Sequence, residues 1–179
     1  KMKYEKHLAA RVALTIIILI LPLIGLNIVD MALQKPTMYI SYLPIKLMGY
    51  GISIEDNIIN MQGNLLRFVA ACTATSAYYL LAILILLTKE MNFRRGLKIF
   101  ITGTILILLM NVIRIDILLV VLAEKGTNLF TSLHLLFWEV VSSVYVAAVW
   151  IFLVKYYKIK NIPVISDIKE LYRKTKRKH

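Results

Sequence analysis

Apolar residues in this sequence gather into blocks long enough to cross a lipid bilayer, and that leaves few folds open. The blocks run over approximately residues 8–33, 68–88, 99–123 and 133–154. A hydrocarbon core about 30 Å thick needs about 20 helical residues at about 1.5 Å each. Within lipid every backbone polar group must be satisfied inside its own segment, which a helix achieves. A soluble domain is about 45–50% apolar with shorter runs; here 59% of the 179 residues are hydrophobic and the mean hydropathy is +0.73. The expectation is an all-α integral membrane protein of about four transmembrane helices. Residues 1–154 form one transmembrane domain and 155–179 a basic cytoplasmic tail, partly amphipathic through Ile165, Ile168, Leu171 and Tyr172. No soluble catalytic or nucleic-acid domain is left over.

The formal charge of +12 raises nucleic acid as a partner, but the charges sit beside the apolar blocks, where they set topology and attract anionic lipid. No nucleic-acid binding is expected. Seventeen Lys and Arg lie in the N-terminus, the loop 89–98 and the tail; four (Lys35, Lys46, Arg67, Lys125) lie on the opposite side, and Arg114 is inside a helix. Cytoplasmic loops carry the excess, so the expectation is a multi-pass cell-membrane protein with both termini cytoplasmic. Segment 34–67 and the loop 124–132 then face outward. Within the former, residues 51–61 alternate apolar and polar side chains around Glu55-Asp56-Asn57, the pattern of a short β-hairpin. The first block is long, contains Pro22 and has no small-residue cleavage site, unlike a cleaved signal peptide.

On that topology three reactive side chains from three helices share the outer half of the membrane. Cys72 falls in the first turns of the second helix and His134 in the first turn of the fourth, both entering from outside; Arg114 lies about 9 residues, roughly 13 Å, from the outer end of the third. Each has a plainer role. A lone Cys packs as a small apolar residue, and a His near a helix start suits an interface. Arg114 could form a structural ion pair with Asp116 or Glu139, although Asp116, two residues away, points to a different face. A charge within a membrane helix costs about 2.5–3.5 kcal/mol on insertion scales, so Arg114 belongs in the bundle interior.

The segment Ala71-Cys-Thr-Ala-Thr-Ser76, a basic loop, then Asn111-Val-Ile-Arg114 and then His134 resembles the exosortase/archaeosortase family. The resemblance covers about Gly51 to Val154. It implies a membrane-embedded cysteine protease or transpeptidase, sortase-like, that cleaves a C-terminal sorting signal from secreted proteins at the extracytoplasmic face. It maps the family's Cys, Arg and His onto Cys72, Arg114 and His134. Many bacterial members carry Ser-Gly where this chain has Thr73-Ala74, and longer members have additional N-terminal helices, which points to a compact, archaeal branch.

In that reading Cys72 is the nucleophile, favoured as thiolate by a helix N-terminus and nearby cations. His134 serves as base and then acid, and Arg114 holds the thiolate or the oxyanion. Asn111, one turn from Arg114, and Glu139 are the supporting candidates, with helix–helix hydrogen bonding as the plain alternative for Asn111. Arg67 reads as a headgroup contact. The partners implied are proteins with a hydrophobic C-terminal sorting signal and a membrane lipid as amine acceptor. No cofactor is expected. A metal site is disfavoured because the remaining histidines, His7 and His179, fall in the cytoplasmic ends. The rival readings are a small transporter or channel subunit, with Arg114, Asp116 and Glu139 lining a polar path, and a non-catalytic membrane assembly protein. No inverted repeat favours the former, and a single cysteine argues against a thiol–disulfide oxidoreductase.

Overall fold

The computed structural model describes residues 13–18, 20, 28–88 and 91–159. The start of the first expected helix, His7, His179 and the amphipathic part of the tail lie outside the described residues. Residues 13–18 and 20 are helical. Then follow α1 (Ile28–Leu47), the strands β1 (Ile52–Glu55), β2 (Ile58–Met61) and β3 (Asn64–Arg67), and a 3-10 turn (Ala70–Thr73). Helices α2 (Thr75–Leu87), α3 (Phe93–Lys125) and α4 (Thr127–Leu136) come next. A π-helical turn, Phe137–Val141, joins α4 to α5 (Ser142–Tyr156).

Two continuous helical stretches, Phe93–Lys125 and Thr127–Tyr156, are long and apolar enough to cross a membrane, and Thr75–Leu87 is a shorter apolar helix. In α3 the side chains of Ile101, Ile105, Leu109, Ile113 and Ile117 form an exposed stripe at four-residue spacing. Such a helix is apolar on the face turned away from the protein as well as on the packed face, which suits lipid and not water. Gly126, at φ +79°, lets the chain turn between α3 and α4 in one residue.

Two differences from the sequence expectation position the site. The first concerns Ile28–Leu47, expected to divide at residue 33 between the end of the first helix and the outer segment 34–67. It is one helix, with Pro36 and Pro44 inside it. Proline removes one i→i−4 bond and crowds a carbonyl, but neighbouring groups in a packed bundle take up that loss. The buried face of Met38, Ser41 and Ile45 keeps the helix against its core. The second concerns the outer segment, where β1 and β2 pair antiparallel with Glu55 opposite Ile58, and β3 adds a third strand with Met61 opposite Asn64. Gln62 and Gly63, at φ +50° and +89°, make the two-residue connection whose twist suits adjacent strands.

By their contacts, the described residues fall into two compact units, one with 79–88, 91–103 and 149–159, the other with 28–78 and 104–148. In the first, Leu81, Ile85, Ile99 and Leu153 are buried. Gly103 is a close-approach point there: a Cβ would stand 2.6 Å from Leu81 Cδ2 and 2.9 Å from Leu153 Cδ1. The second unit has a core of Met38 and Ile45 from α1, Ile59 and Met61 from one face of β2, Phe68, and Ile115, Leu119 and Leu122 from α3. The period of two along β2 and of three to four along α3 direct both sets inward.

Candidate active site

Every residue of the candidate site belongs to the second unit. Its base is the chain from Phe68 to Thr75. Val69 is extended, at φ −108° and ψ 165°, and delivers the chain into the 3-10 turn; Ala74, at φ 56° and ψ 31°, is left-handed. Cys72 therefore does not lie in the first turns of a helix as expected. It occupies a separate turn, three residues before α2 begins at Thr75, with a left-handed residue between. The helix N-terminus invoked to favour the thiolate is not local to it. Alanine in the left-handed region costs about 1–2 kcal/mol relative to ordinary backbone, and outliers of this kind persist only where surrounding contacts over-determine them.

Those contacts come from two helices. Gln34 Nε2 donates to the Phe68 carbonyl at 2.6 Å, before the turn. Asn111 Nδ2 donates to the Cys72 carbonyl itself at 2.7 Å. Thr73 Oγ1 donates to Asp30 Oδ1 at 3.1 Å and shares a 2.6 Å hydrogen bond with Thr75 Oγ1. Asp30 and Gln34 stand one turn apart on α1 and clamp the two ends of the turn from one side, while Asn111 of α3 holds its middle. The Cys72 amide closes the turn on the Val69 carbonyl at 2.9 Å.

Cys72 is half-buried and opens on a cavity of about 200 Å³ whose lining also includes Arg114 and His134. Thus the three side chains singled out from sequence converge on one cavity, from the turn, α3 and α4. The rest of the lining is largely apolar: Ile59, Leu66, Phe68 and Val69 from the sheet side, and Ile115, Leu118, Leu119 and Phe130 from the helices. Arg114 is only 5% exposed and shares this lining with Cys72 and His134. The His134 ring stacks on Phe130, centroids 5.8 Å apart and planes 14° from parallel, which fixes the imidazole plane.

Arg114 is held by a neutral group. Its Nη1 donates to Ser142 Oγ at 3.3 Å, and its buried Nε has no hydrogen-bond partner among the described residues. Ser142 Oγ donates in turn to the Phe137 carbonyl at 2.6 Å, across the π-helical turn. Arg114 also borders a second cavity of about 40 Å³, lined by Asn111, Ser142 and Tyr145 among others. Glu139 is exposed and, like Asp116, lines neither cavity. The structure does not bring Glu139 to the site, and a polar path through Arg114, Asp116 and Glu139 finds no support in it. Arg67, assigned to headgroups, lines the Cys72 cavity. Four further residues were not anticipated: Asp30, Gln34, Phe130 and Ser142. Their signals in the sequence are an acid and an amide one helical turn apart, an aromatic four residues before His134, and a serine pair inside an apolar block.

Helices of membrane-crossing length and a lipid-suited apolar stripe describe a membrane protein, with a thiol, a guanidinium and an imidazole around one cavity. The family model for transmembrane exosortases matches residues 3–156, and the chain belongs to that family. No curated protein and no solved structure matches it.

Proposed function

We propose that this protein is a membrane-embedded cysteine peptidase or transpeptidase that removes C-terminal sorting signals from secreted proteins, with Cys72, His134 and Arg114 as its catalytic residues. The observation that carries the reading is the convergence of these three side chains on one cavity from three separate elements. The His134 ring accepts the Cys72 proton, and the thiolate attacks the scissile carbonyl carbon, forming a C–S bond. The carbonyl oxygen becomes an oxyanion facing the Arg114 guanidinium, a donor that needs no reorganisation. Collapse of the intermediate breaks the C–N bond, and the imidazolium returns the proton to the leaving amine, which departs with the apolar tail of the substrate. The thioester is then resolved by water, giving a carboxylic acid, or by the amine of a lipid acceptor, giving an amide; either restores the thiol. The orientation that fits has both termini cytoplasmic and the site toward the extracytoplasmic face.

The test is capture. Protein purified from its own membranes should carry a substrate-derived acyl group on Cys72, released by hydroxylamine. Cys72→Ala should lose both the adduct and processing, yet keep its thermal stability, since such near-isosteric changes usually cost under about 1.5 kcal/mol. Processing that persists in Cys72→Ala would end the peptidase reading, because no second thiol exists in the chain.

A further inference from the structure

β3 is an edge strand that leads to the thiol. In the sheet order β1-β2-β3 it pairs with β2 alone. The Phe68 amide donates to the Asn57 carbonyl at 2.7 Å, which places that pair in the hydrogen-bonded class of an antiparallel ladder. Alternation then turns the N–H and C=O of Asn64 and Leu66 toward β2, and those of Leu65 and Arg67 toward the open side. Among the described residues no backbone hydrogen bond reaches Leu65 or Arg67 from that side, and β2 is the one strand paired with β3. Leu65 is 70% exposed. An unpaired row of this kind is a template for another strand, and β3 carries no proline or bulge that would blunt it.

Its position supplies the occupant. Leu66 and Arg67, then Phe68 and Val69, line the Cys72 cavity, and the extended backbone of Val69 runs straight into the cysteine turn. A peptidase must hold its peptide with the scissile carbonyl against the nucleophile, and an extended chain paired to a strand edge presents its carbonyls at regular intervals. We propose that the substrate polypeptide binds as a fourth strand on the open edge of β3, hydrogen-bonded through its main chain to Leu65 and Arg67, which delivers its scissile bond to Cys72. Main-chain pairing gives affinity independent of sequence, and the largely apolar cavity takes alternate side chains. The inference rests on the peptidase reading above. A second copy of this chain, pairing edge to edge, is the rival occupant.

Two measurements decide it. The first compares wild type with Leu65→Pro in native membranes, reading the acyl adduct on Cys72 and, separately, the rate at which iodoacetamide alkylates Cys72, the one thiol present. Proline there removes an outward N–H and no ladder bond, the position at which edge strands tolerate it. The adduct should fall about tenfold, the scale of one lost hydrogen bond left unreplaced, while alkylation stays at the wild-type rate. An undiminished adduct with normal alkylation overturns the inference but leaves the peptidase intact; absence of any adduct in wild type condemns the peptidase reading instead. The second needs neither a known substrate nor a folded variant. An alternating Val-Thr pentapeptide ending in an activated-disulfide cysteine is tethered to Cys72, and amide hydrogen exchange is followed. Exchange at Leu65 and Arg67 should slow at least about tenfold, and an N-methylated version of the peptide should not slow it. Unchanged exchange overturns the proposal, and so does protection of these amides without peptide that grows with protein concentration.

Discussion

Ala74 offers the most direct test of the turn that carries Cys72. Its left-handed backbone costs an L-residue about 1–2 kcal/mol that glycine does not incur. Against that gain, Ala74→Gly frees the unfolded chain, a loss of about 0.4–1 kcal/mol. It also removes a half-buried methyl that borders the smaller cavity, worth about half of the 0.8 kcal/mol for a buried methylene. The balance runs from a loss of about 0.4 to a gain of about 1.2 kcal/mol. Ala74→Val meets the opposite fate, since a β-branched residue at positive φ is a genuine outlier; it should destabilise by about 2 kcal/mol or more. Equilibrium unfolding in mixed detergent micelles should therefore place Gly within about 0.4 kcal/mol of Ala or above it, with Val far below. A helix continuous from residue 68, as the sequence suggests, ranks them differently: Ala first, Val slightly lower and Gly last by about 1 kcal/mol. That second order would refute the turn and the placement of Cys72 with it.

The remaining predictions concern the groups around the thiol. Arg114→Lys keeps the charge but loses the planar fork; it should fold normally and lose on the order of 100-fold in processing rate, the scale of one oxyanion donor, whereas normal turnover would reduce Arg114 to a structural charge. Asn111→Ala strips the Cys72 carbonyl of its 2.7 Å donor and should cost about 1 kcal/mol in stability, with the loss appearing in acylation rate and not in total expression. Asp30→Asn keeps an acceptor for Thr73 and should be mild, while Asp30→Leu removes the 3.1 Å bond from the buried Thr73 hydroxyl to α1 and should cost about 0.5–1.5 kcal/mol; equal effects in unfolding titrations would mean that the clamp does not hold.

Much of the fold was legible because membrane helices are read from length and composition. The blocks at 99–123 and 133–154 correspond to the apolar cores of Phe93–Lys125 and Thr127–Tyr156; the helices continue past them into more polar ends that hydropathy does not mark. Strand β2 was legible from its alternation. The helix Ile28–Leu47 was not, because proline propensity is local and the burial of Met38, Ser41 and Ile45 that overrides it is tertiary. Strand β3 was not either: Asn64-Leu-Leu-Arg67 has no alternation to read, and pairing with β2 alone defines it. The π-helical turn inserts a residue into α4–α5 with no glycine or proline to mark it. As for the site, the reactive residues carried their own signals, a thiol and a guanidinium in lipid-length blocks. Their supports did not, because Asp30 and Gln34 reach the turn across more than thirty residues of sequence.

Arg114 decides between a structural and a chemical account of the cavity. A buried guanidinium kept for stability should have a carboxylate beside it, since removing the partner of a buried charge costs about 3–5 kcal/mol. Two carboxylates were available on the neighbouring sequence. Glu139 is exposed, and Asp116 has a buried Oδ1 with no hydrogen-bond partner among the described residues. Arg114 instead rests on a serine hydroxyl whose own proton is committed to a carbonyl of the π-helical turn, an arrangement that orients the guanidinium without neutralising it. The positive charge thus retains its capacity to meet an anion in the adjoining cavity, and the groups there able to become anionic are the Cys72 thiol and the oxygen of a carbonyl under attack. Among the described residues that charge is oriented and has no carboxylate beside it, an arrangement that the proposed oxyanion role needs and that a purely structural ion pair would not leave.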